Sequence, residues 1–256
     1  MPQQYYTASE AQKKLGFSRA AFFRKVKQGI IRKVVPPGMK QGVYPKRDID
    51  ALALSMHTIF EQFQTIVFSC SSPEDQKEEM EIGIRAFGKD FITPLAERIS
   101  FQKKCEFTFH SLKAHGKVVG YFSLFRLTDT FLDQLLHGEQ IERSISIDDM
   151  LSFTRLEPFH IYIDVLVTDP LLSHHLRNLY AGLLVSHLFS LLRSLQNNGY
   201  LIDKVYTITS TKEADKLAAH AGFHKVQTSS LTPNRVVWEL PLCEQHLQTL
   251  SSFWQG

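Results

Sequence analysis

Basic side chains near the N-terminus are the residues of this chain whose types and spacing most clearly suggest chemistry. Within the first 54 positions, eleven Lys or Arg residues stand against three acidic ones, a net charge of about +8. The whole sequence carries a formal charge of only +3, so the positive charge is concentrated in this segment. Such a local concentration of cations indicates a surface that can bind the phosphates of a nucleic acid.

Asp164 is a second candidate, because it interrupts the apolar run of residues 160–167. A carboxylate placed on a strand can act as a general base. The same residue alternates with Ile163 and Val165, which is equally compatible with a carboxylate that faces solvent or caps a neighbour. The sequence leaves both interpretations open.

Histidine and cysteine offer little in the way of metal or redox chemistry. His174 and His175 are adjacent, so on a helix their side chains would point about 100° apart, and no acid or cysteine stands at ligand spacing beside them. Cys70, Cys105 and Cys243 are widely spaced, with no CxxC pair. We therefore expect no metal site and no structural disulfide. A cytoplasmic location without a signal peptide or a membrane span is expected as well.

The basic segment carries the sequence signals of two short helices joined by a tight turn. Thr7 or Ser9 can cap a first helix, and Gly16 suits the turn that follows it. Ser18 can cap a second helix over residues 19–28, which holds several of the cations.

A short hairpin, or wing, and a third helix are predicted next. Residues 31–44 form two weak strands around a loop that contains Gly38 and Gly42, which supply turn geometry. The third helix is predicted over residues 47–54. No linker rich in Gly or Ser follows it, and the pattern changes after residue 57.

Beyond residue 58 the pattern predicts a strand, two helices, two strands, a helix, a strand, a long helix, a strand, a helix and a final pair of strands. Residues 160–167 give the clearest strand signal, and 176–197 give the clearest helix signal. The sequence therefore predicts an α+β protein: a small winged helix-turn-helix domain over residues 1–57, followed by a larger mixed α/β domain over residues 58–256.

The first fifty residues resemble the MerR/excisionase type of winged helix-turn-helix domain. The residues that carry this resemblance are Tyr6, Thr7, Glu10, Ala11, Leu15, Gly16, Phe17, Ser18, Arg24, Gly29, Ile30, Tyr44, Asp48, Ile49 and Leu52. The resemblance implies that the second helix enters the major groove of double-stranded DNA and that the protein binds as a homodimer. The implied DNA contacts are Ser18, Arg19, Arg24, Lys25, Lys27, Lys40 and Lys46. The alternative is that this basic face is only a solvated surface.

The larger domain resembles the GNAT superfamily of acetyl-CoA-dependent N-acetyltransferases. The segments that carry this resemblance are IYIDVLVTDP at 161–170, KVYTITST at 204–211 and KEADKLAAHAGFHKV at 212–226. In that superfamily, backbone amides of a glycine-containing loop at the start of the long helix bind the pyrophosphate of coenzyme A. The resemblance implies acetyl-CoA or another acyl-CoA as the cofactor, with contacts at Val167, Arg177, Tyr180 and Gly182 and with Asp164 as the base.

Two positions depart from the pattern of active GNAT members. Tyr180 stands where the first glycine of the phosphate loop is expected, and a side chain there would obstruct the close approach of the backbone. Ala218 stands where many members carry a tyrosine that acts as a general acid. The sequence therefore allows either a working enzyme or a degenerate acyltransferase fold that was kept to bind a ligand or a protein.

Three functions are compatible with these features. The first is a transcriptional regulator that binds DNA and whose GNAT-like domain senses a small-molecule effector or mediates dimerisation. The second is an N-acetyltransferase with an attached DNA-binding module. The third is a recombination accessory protein of the excisionase kind, which would leave the larger domain without a role.

Overall fold

The computed structural model describes residues 4–38, 41–64, 66–228 and 234–242, without the side chains of 57–64, 227 and 228. The chain divides into two compact units, Met1–Ile66 and Val67–Gly256. This division falls later than the boundary predicted at residue 57. The reason is that the third helix, predicted over 47–54, continues without a break to Gln64.

The smaller unit consists of three helices and a two-stranded antiparallel sheet. Its elements are β1 (Tyr5–Tyr6), α1 (Ala8–Leu15), α2 (Arg19–Lys27), β2 (Tyr44–Pro45) and α3 (Lys46–Gln64). Thr7 caps α1 through a complete capping box with Glu10, and Gly16 ends it in the left-handed conformation at φ +67°. Ser18 accepts a hydrogen bond from the Ala21 amide at 3.3 Å and so begins α2. Both helices are therefore confirmed.

A single apolar core holds the smaller unit together. Its buried members come from all three helices and from the segment between them: Ala11, Leu15, Phe22, Ile31, Tyr44 and Ile49. Between α2 and β2, an isolated antiparallel bridge joins Val34 to Val43, and Gly38 inside it has a φ of +82°. Gly38 therefore has the turn geometry predicted for it, whereas Gly42 does not adopt a positive φ. Lys40 lies outside the described residues.

A large mixed sheet forms the centre of the larger unit. Its strands are β3 (Ile66–Cys70), β4 (Phe109–Ala114), β5 (Lys117–Leu127), β6 (Met150–Leu151), β7 (Phe159–Thr168), β8 (Ile202–Thr209), β9 (His224–Thr228) and β10 (Val236–Pro241). They follow the order β3-β4-β5-β7-β8-β10-β9, and β6 pairs with β5. The neighbours β7 and β8 run parallel, while β4 and β7 each run antiparallel to β5.

Among the described residues, five α-helices flank this sheet. They are α4 (Pro73–Phe87), α5 (Leu95–Lys104), α6 (Asp129–His137), α7 (His174–Asn197) and α8 (Lys212–His220), with 3-10 turns at Lys89–Phe91 and Glu142–Ser144. Tyr121 packs with Ile82 of α4, whereas the next residue, Phe122, joins an aromatic cluster with His187 of α7. Adjacent residues of a strand point to opposite faces, so α4 and α7 cover opposite sides of the sheet.

This order of elements is the one predicted from the sequence, and the larger unit has a mixed α/β fold. Residues 129–151, which contain α6, the second 3-10 turn and β6, lie between β5 and β7 and are called the inserted segment below. The helix predicted over 127–141 is shorter than expected, because Gly138 ends it at φ +83°. Within the described residues, none of the helices combines the length and apolarity needed to cross a lipid bilayer.

Two further boundaries differ from the prediction. The helix expected over 91–99 begins only at Leu95, because Pro94 precedes it and the chain before it forms a 3-10 turn. The strand expected over 105–110 begins only at Phe109, because the Thr108 amide donates to the Cys105 carbonyl and closes a turn first. Neither difference changes the order of the elements.

Candidate functional site

The strands β7 and β8 separate from each other halfway along β7. Their parallel pairing runs from Phe159 opposite Ile202 to Ile163 opposite Thr207, and no later pair joins them within the described residues. Residues 165–168 of β7 stay paired with β5 on the other side. The edge of β7 that faces β8 is therefore open over its last five residues, and it can offer backbone groups to a ligand.

A β-bulge begins this open segment. Ser123 of β5 pairs with Val165 and Leu124 pairs with Ile163, so Asp164 is the extra residue between them. Bulges re-aim the side chain that they carry. Here the bulge directs Asp164 toward Ser123, whose hydroxyl donates to the Asp164 carboxylate at 3.1 Å.

The helix α7 begins close to the open end of β7. Ser173 caps it by accepting from the Leu176 amide at 3.4 Å, and the Arg177 amide donates to the Ser173 carbonyl at 2.9 Å. The amides of His174 and His175 lie in the first turn, where a helix provides no acceptor for them. Free amides and the positive end of the helix dipole favour an anion such as a phosphate.

The turn between β7 and α7 is held by a bidentate ion pair. Arg85 of α4 donates to both carboxylate oxygens of Asp169, at 3.1 and 3.0 Å, and Asp169 accepts from the Leu171 amide. Gly120 of β5 permits the close packing next to this turn. A Cβ at that position would lie 2.7 Å from the Val167 carbonyl oxygen and 2.9 Å from the Leu184 side chain.

Burial is the main influence on the proton affinity of Asp164. Burial, followed by the negative charge of Glu142, raises the pKa of this carboxyl group from 3.8 to about 7. The hydrogen bond from Ser123 and the positive charges of Arg98 and Arg235 act in the opposite direction. A carboxyl group with a pKa near 7 exchanges a proton readily at neutral pH, as a general base must.

Glu142 comes from the inserted segment and connects two strands at this site. Its carboxylate accepts a hydrogen bond from the Tyr162 hydroxyl at 2.6 Å. It also forms an ion pair, at 2.5 Å, with Arg235, which directly precedes β10. Tyr162 lies two residues before Asp164 on β7. Burial and the negative charge of Glu142 raise the pKa of the Tyr162 phenol well above 10, so this group keeps its proton and remains a donor.

A buried ion pair lies on the same face of the sheet. Glu79 of α4 accepts from Arg98 of α5, and the hydroxyls of Ser71 and Ser111 also donate to Glu79, at 2.5 and 2.7 Å. The Arg98 guanidinium lies 4.0 Å from the ring centroid of Phe109. The charge of Glu79 is thereby satisfied in the interior, which a buried carboxylate requires.

The structure brings together only some of the residues implied by the GNAT resemblance. Asp164 and Val167 both lie on the open segment of β7. The segment Arg177–Gly182, aligned with the phosphate loop, lies inside α7 instead. Because the cap at Ser173 starts the helix at His174, the free amides lie one turn before that segment.

Tyr180 does not stand at the start of the helix, contrary to the alignment that placed it at the phosphate. It lies in the second turn of α7 and is 93% buried, with an exposed fraction of only 7%. Ala218, at the position of the family's tyrosine, is buried on α8. Glu142, Arg235, Ser123 and Tyr162 were missed by sequence reasoning, and only Tyr162 had a signal, its spacing of two residues from Asp164 on one strand.

The residues predicted to contact DNA lie on two parts of the smaller unit. Arg19, Arg24 and Lys27 are exposed on α2, and Ser18 is exposed at its cap. Lys25 is half-buried, with its ammonium 5.5 Å from the ring centroid of Phe17. This contact with an aromatic ring can stabilise the fold, so Lys25 can have a structural role.

A cleft of about 510 Å³ marks the second basic surface of the smaller unit. Arg32, Lys46 and Arg47 line it, together with Tyr5 and Gln4. All three cations are exposed, and no acidic residue belongs to the described lining. Lys46 was predicted to contact DNA, whereas Arg32 and Arg47 were not. Their convergence follows from the pairing of β1 with β2, which local sequence does not show.

Comparison with known proteins adds little to this geometry. No protein-family model and no curated protein matches the chain. It is similar to the solved structure of Ard1 from Thermoplasma volcanium, with 14% identity over 70% of this chain and 99% of that one, at a TM-score of 0.47. It is also similar to the ribosomal-protein-S18-alanine N-acetyltransferase from Escherichia coli, with 14% identity over 69% of this chain and 94% of that one, at a TM-score of 0.44. A third similar structure is yncA from Salmonella typhimurium, solved with its cofactor acetyl-CoA. The identity is 12% over 70% of this chain and 95% of that one, and the TM-score is 0.44.

Identities this low and TM-scores below 0.5 decide no activity for this chain. The strand order of the larger unit, the open edge of β7 and the Asp164 site are the observations on which its function can be argued.

Proposed function

We propose that the larger unit is an acyl-CoA-dependent N-acyltransferase in which Asp164 is the general base. The observation that carries this proposal is the separation of β7 from β8 directly after Ile163. It leaves a strand edge open next to the first-turn amides of α7. An elongated ligand with an anionic group fits this arrangement, because the edge can bind an amide-containing chain while the helix binds a phosphate.

The residues of the site fit an acyl-CoA. The amides of His174 and His175 would hold its pyrophosphate, and the open edge around Val167 would hold its pantetheine amides. The bound cofactor would supply an acyl group as an activated thioester.

Asp164 is placed to prepare the acceptor. Its pKa near 7 allows it to remove a proton from an ammonium group at neutral pH, which makes the nitrogen nucleophilic. Ser123 holds the carboxylate in place through its hydrogen bond. The Tyr162 hydroxyl keeps its proton but already donates a hydrogen bond to Glu142, so we assign no general-acid role to Tyr162.

Two measurements on the full-length protein test this proposal. Calorimetry with acetyl-CoA should give saturable binding, and release of free CoA thiol in the presence of primary amines should follow. Replacement of Gly120 by Ala should weaken acetyl-CoA binding, because the added Cβ meets the Val167 carbonyl and moves the strand edge. Binding without transfer to any amine would show that the fold acts as a ligand sensor, and absence of binding would refute the proposal.

A second candidate function concerns the smaller unit, which we propose binds double-stranded DNA. The supporting observation is that exposed cations occupy both α2 and the cleft of Arg32, Lys46 and Arg47. A helix of this kind can enter the major groove while a second basic surface contacts the phosphates of the backbone. The protein would then be an acyltransferase that carries its own DNA-binding module, acting as a homodimer.

Fluorescence anisotropy with a labelled duplex tests the DNA proposal. Binding that weakens steeply with salt is expected, and replacement of both Arg32 and Arg47 by Ala should reduce the salt slope. Equal affinity for duplex DNA and for an unrelated polyanion, with the same salt slope, would refute it.

A further inference from the structure

Glu142 and Arg235 form an ion pair at the strand that carries the candidate base, although neither belongs to that strand. Glu142 lies in the 3-10 turn of the inserted segment, and Arg235 lies next to β10, ninety-three residues away in sequence. Their side chains are mostly buried, with exposed fractions of 27% and 16%. An ion pair this far from bulk water has to be well satisfied, because the loss of hydration would otherwise outweigh the attraction.

The partners of Glu142 lead back to the open segment of β7. The carboxylate oxygen that accepts from Arg235 at 2.5 Å also accepts from the Tyr162 hydroxyl at 2.6 Å. The inserted segment, β7 and the residue before β10 therefore meet at the Glu142 carboxylate. Tyr162 is two residues from Asp164 on the same strand, so this carboxylate is bonded to the strand that carries the candidate base.

We propose that Glu142 and Arg235 are positioning residues that set the electrostatic surroundings of the Asp164 carboxylate, and through it the pH range in which the site can accept a proton. Glu142 places a negative charge near Asp164, and Arg235 places a compensating positive one. The proposal rests on the role of Asp164 as a base. The pair itself is formed by the inserted segment and by the β10 side, outside the elements that carry the acyl-CoA contacts.

Other charged and titratable groups face the same carboxylate. Arg98 of α5 contributes a positive charge, and Ser123 of β5 donates a hydrogen bond. The phenols of Tyr121 and Tyr162 are also close enough to interact with Asp164, but burial raises the pKa of both well above neutrality. Neither phenol therefore changes charge in the range where Asp164 titrates.

Two substitutions that remove charges of opposite sign test the proposal. Glu142→Gln retains an oxygen that can accept from Tyr162 and Arg235 but removes the negative charge. Arg235→Gln removes the positive charge. We expect the titration midpoint of Asp164 to fall in the first variant and to rise in the second, each by about half a pH unit or more. Carboxyl ¹³C NMR, assigned with Asp164→Asn, measures the midpoint in the full-length protein.

Matched controls separate this role from a structural one. Arg235→Lys retains the charge and should leave the midpoint within about 0.2 units of the wild type. Glu139→Gln removes an exposed acid from the same inserted segment and should also leave it unchanged. A merely structural bridge would loosen when either partner is lost, so both Gln variants would then shift the midpoint in the same direction.

The outcomes are therefore decisive. Opposite shifts of the two Gln variants, with both controls unchanged, support the proposal. Shifts in the same direction, or no shift in either variant, overturn it. If Arg235→Gln fails to fold by circular dichroism, a fall in Glu142→Gln with none in Arg235→Lys still supports it, and no fall in Glu142→Gln overturns it.

Catalysis provides an independent readout. If amine acylation occurs, the acid limb of its pH profile should move with the NMR midpoint in each variant. If no acylation occurs but the opposite NMR shifts are present, the acyltransferase function fails while the positioning role stands. If acylation occurs and the NMR midpoints do not move, the positioning role fails alone.

Discussion

At the scale of single residues, burial controls the chemistry of the larger unit more than proximity between charges does. It raises the pKa of Asp164 to about 7 and lowers that of His110 to about 4, in each case because the charged form loses hydration. The His110 ring stacks on the rings of Phe68 and Phe122, which also contact each other, and its Nε2 is 3.5 Å from the Cys70 sulfur. These two groups give opposite dependences of stability on pH.

Asp164→Asn should separate activity from stability. We expect it to lower the rate of amine acylation by about 10²-fold or more without changing acetyl-CoA affinity, because it removes the base and not the cofactor contacts. The folded protein holds a proton on Asp164 up to about pH 7, whereas the unfolded chain loses it near pH 3.8. The wild type is therefore destabilised as the pH rises through this window.

Thermal unfolding followed by circular dichroism provides the measurement for this prediction. At pH 8 the Asn variant should have the higher Tm, by an amount that reflects a few kcal/mol at most. Near pH 4 the two proteins should unfold at the same temperature. A variant that is less stable than the wild type at pH 8 would contradict the assigned burial of a charged carboxylate.

His110→Phe should remove a component of acid sensitivity. In the wild type the unfolded chain takes up a proton on this residue near pH 6.5, but the folded protein does so only near pH 4. Stability should therefore fall as the pH drops through that window, by on the order of 3 kcal/mol. The Phe variant keeps the ring stack and should show a shallower loss in urea unfolding between pH 7 and pH 4. An unchanged slope would mean that other histidines dominate.

At the scale of elements, the proposed function depends on where β7 stops pairing with β8. The two strands pair up to Ile163 and Thr207, and the bulge at Asp164 marks the point of separation. The cap at Ser173 then places the first-turn amides of α7 beside the open edge. The side chain at position 180 does not obstruct the first-turn amides, because Tyr180 lies in the second turn of α7 and is buried in the interior.

The element-scale prediction concerns α2. We expect Arg24→Ala combined with Lys27→Ala to weaken duplex DNA binding about tenfold or more and to lower the salt slope by about 2, because each exposed cation neutralises one phosphate. Lys212→Ala combined with Lys216→Ala on α8 removes the same charge from the other unit and should change neither quantity. Equal effects of the two double variants would show that net charge alone drives the binding.

At the scale of the whole molecule, the two units have separate apolar cores, and the excess of basic residues lies in the smaller unit. The core of the smaller unit comes from α1, α2 and α3, whereas that of the larger unit surrounds Phe109, Phe125 and Tyr162. Each unit can therefore respond to its own ligand.

Differential scanning calorimetry should show this separation in the full-length protein. We expect two unfolding transitions, of which acetyl-CoA raises one and duplex DNA raises the other. A ligand at a hundred times its Kd should contribute about 2.7 kcal/mol to the unit that binds it. Arg24→Ala with Lys27→Ala should reduce the DNA response and leave the acetyl-CoA response unchanged. A single transition raised by either ligand would show that the units unfold as one.

The sequence by itself determined the order of the elements, because local signals specify them. Thr7, Gly16 and Ser18 act within a few residues of the helix ends that they define, and the apolar run around Asp164 predicts a strand whatever it pairs with. The tertiary structure alone decided which residues meet. Glu142 and Arg235 are ninety-three residues apart, and nothing local to either one indicates the other.

The proton affinity of Asp164 belongs to the second category. Its pKa depends on burial and on the charges of Glu142, Arg98 and Arg235, which come from three different elements. For the same reason the sequence left Asp164 undecided between base and surface residue. Desolvation and electrostatic interaction act through space, so they follow from the packed fold and not from neighbours along the chain.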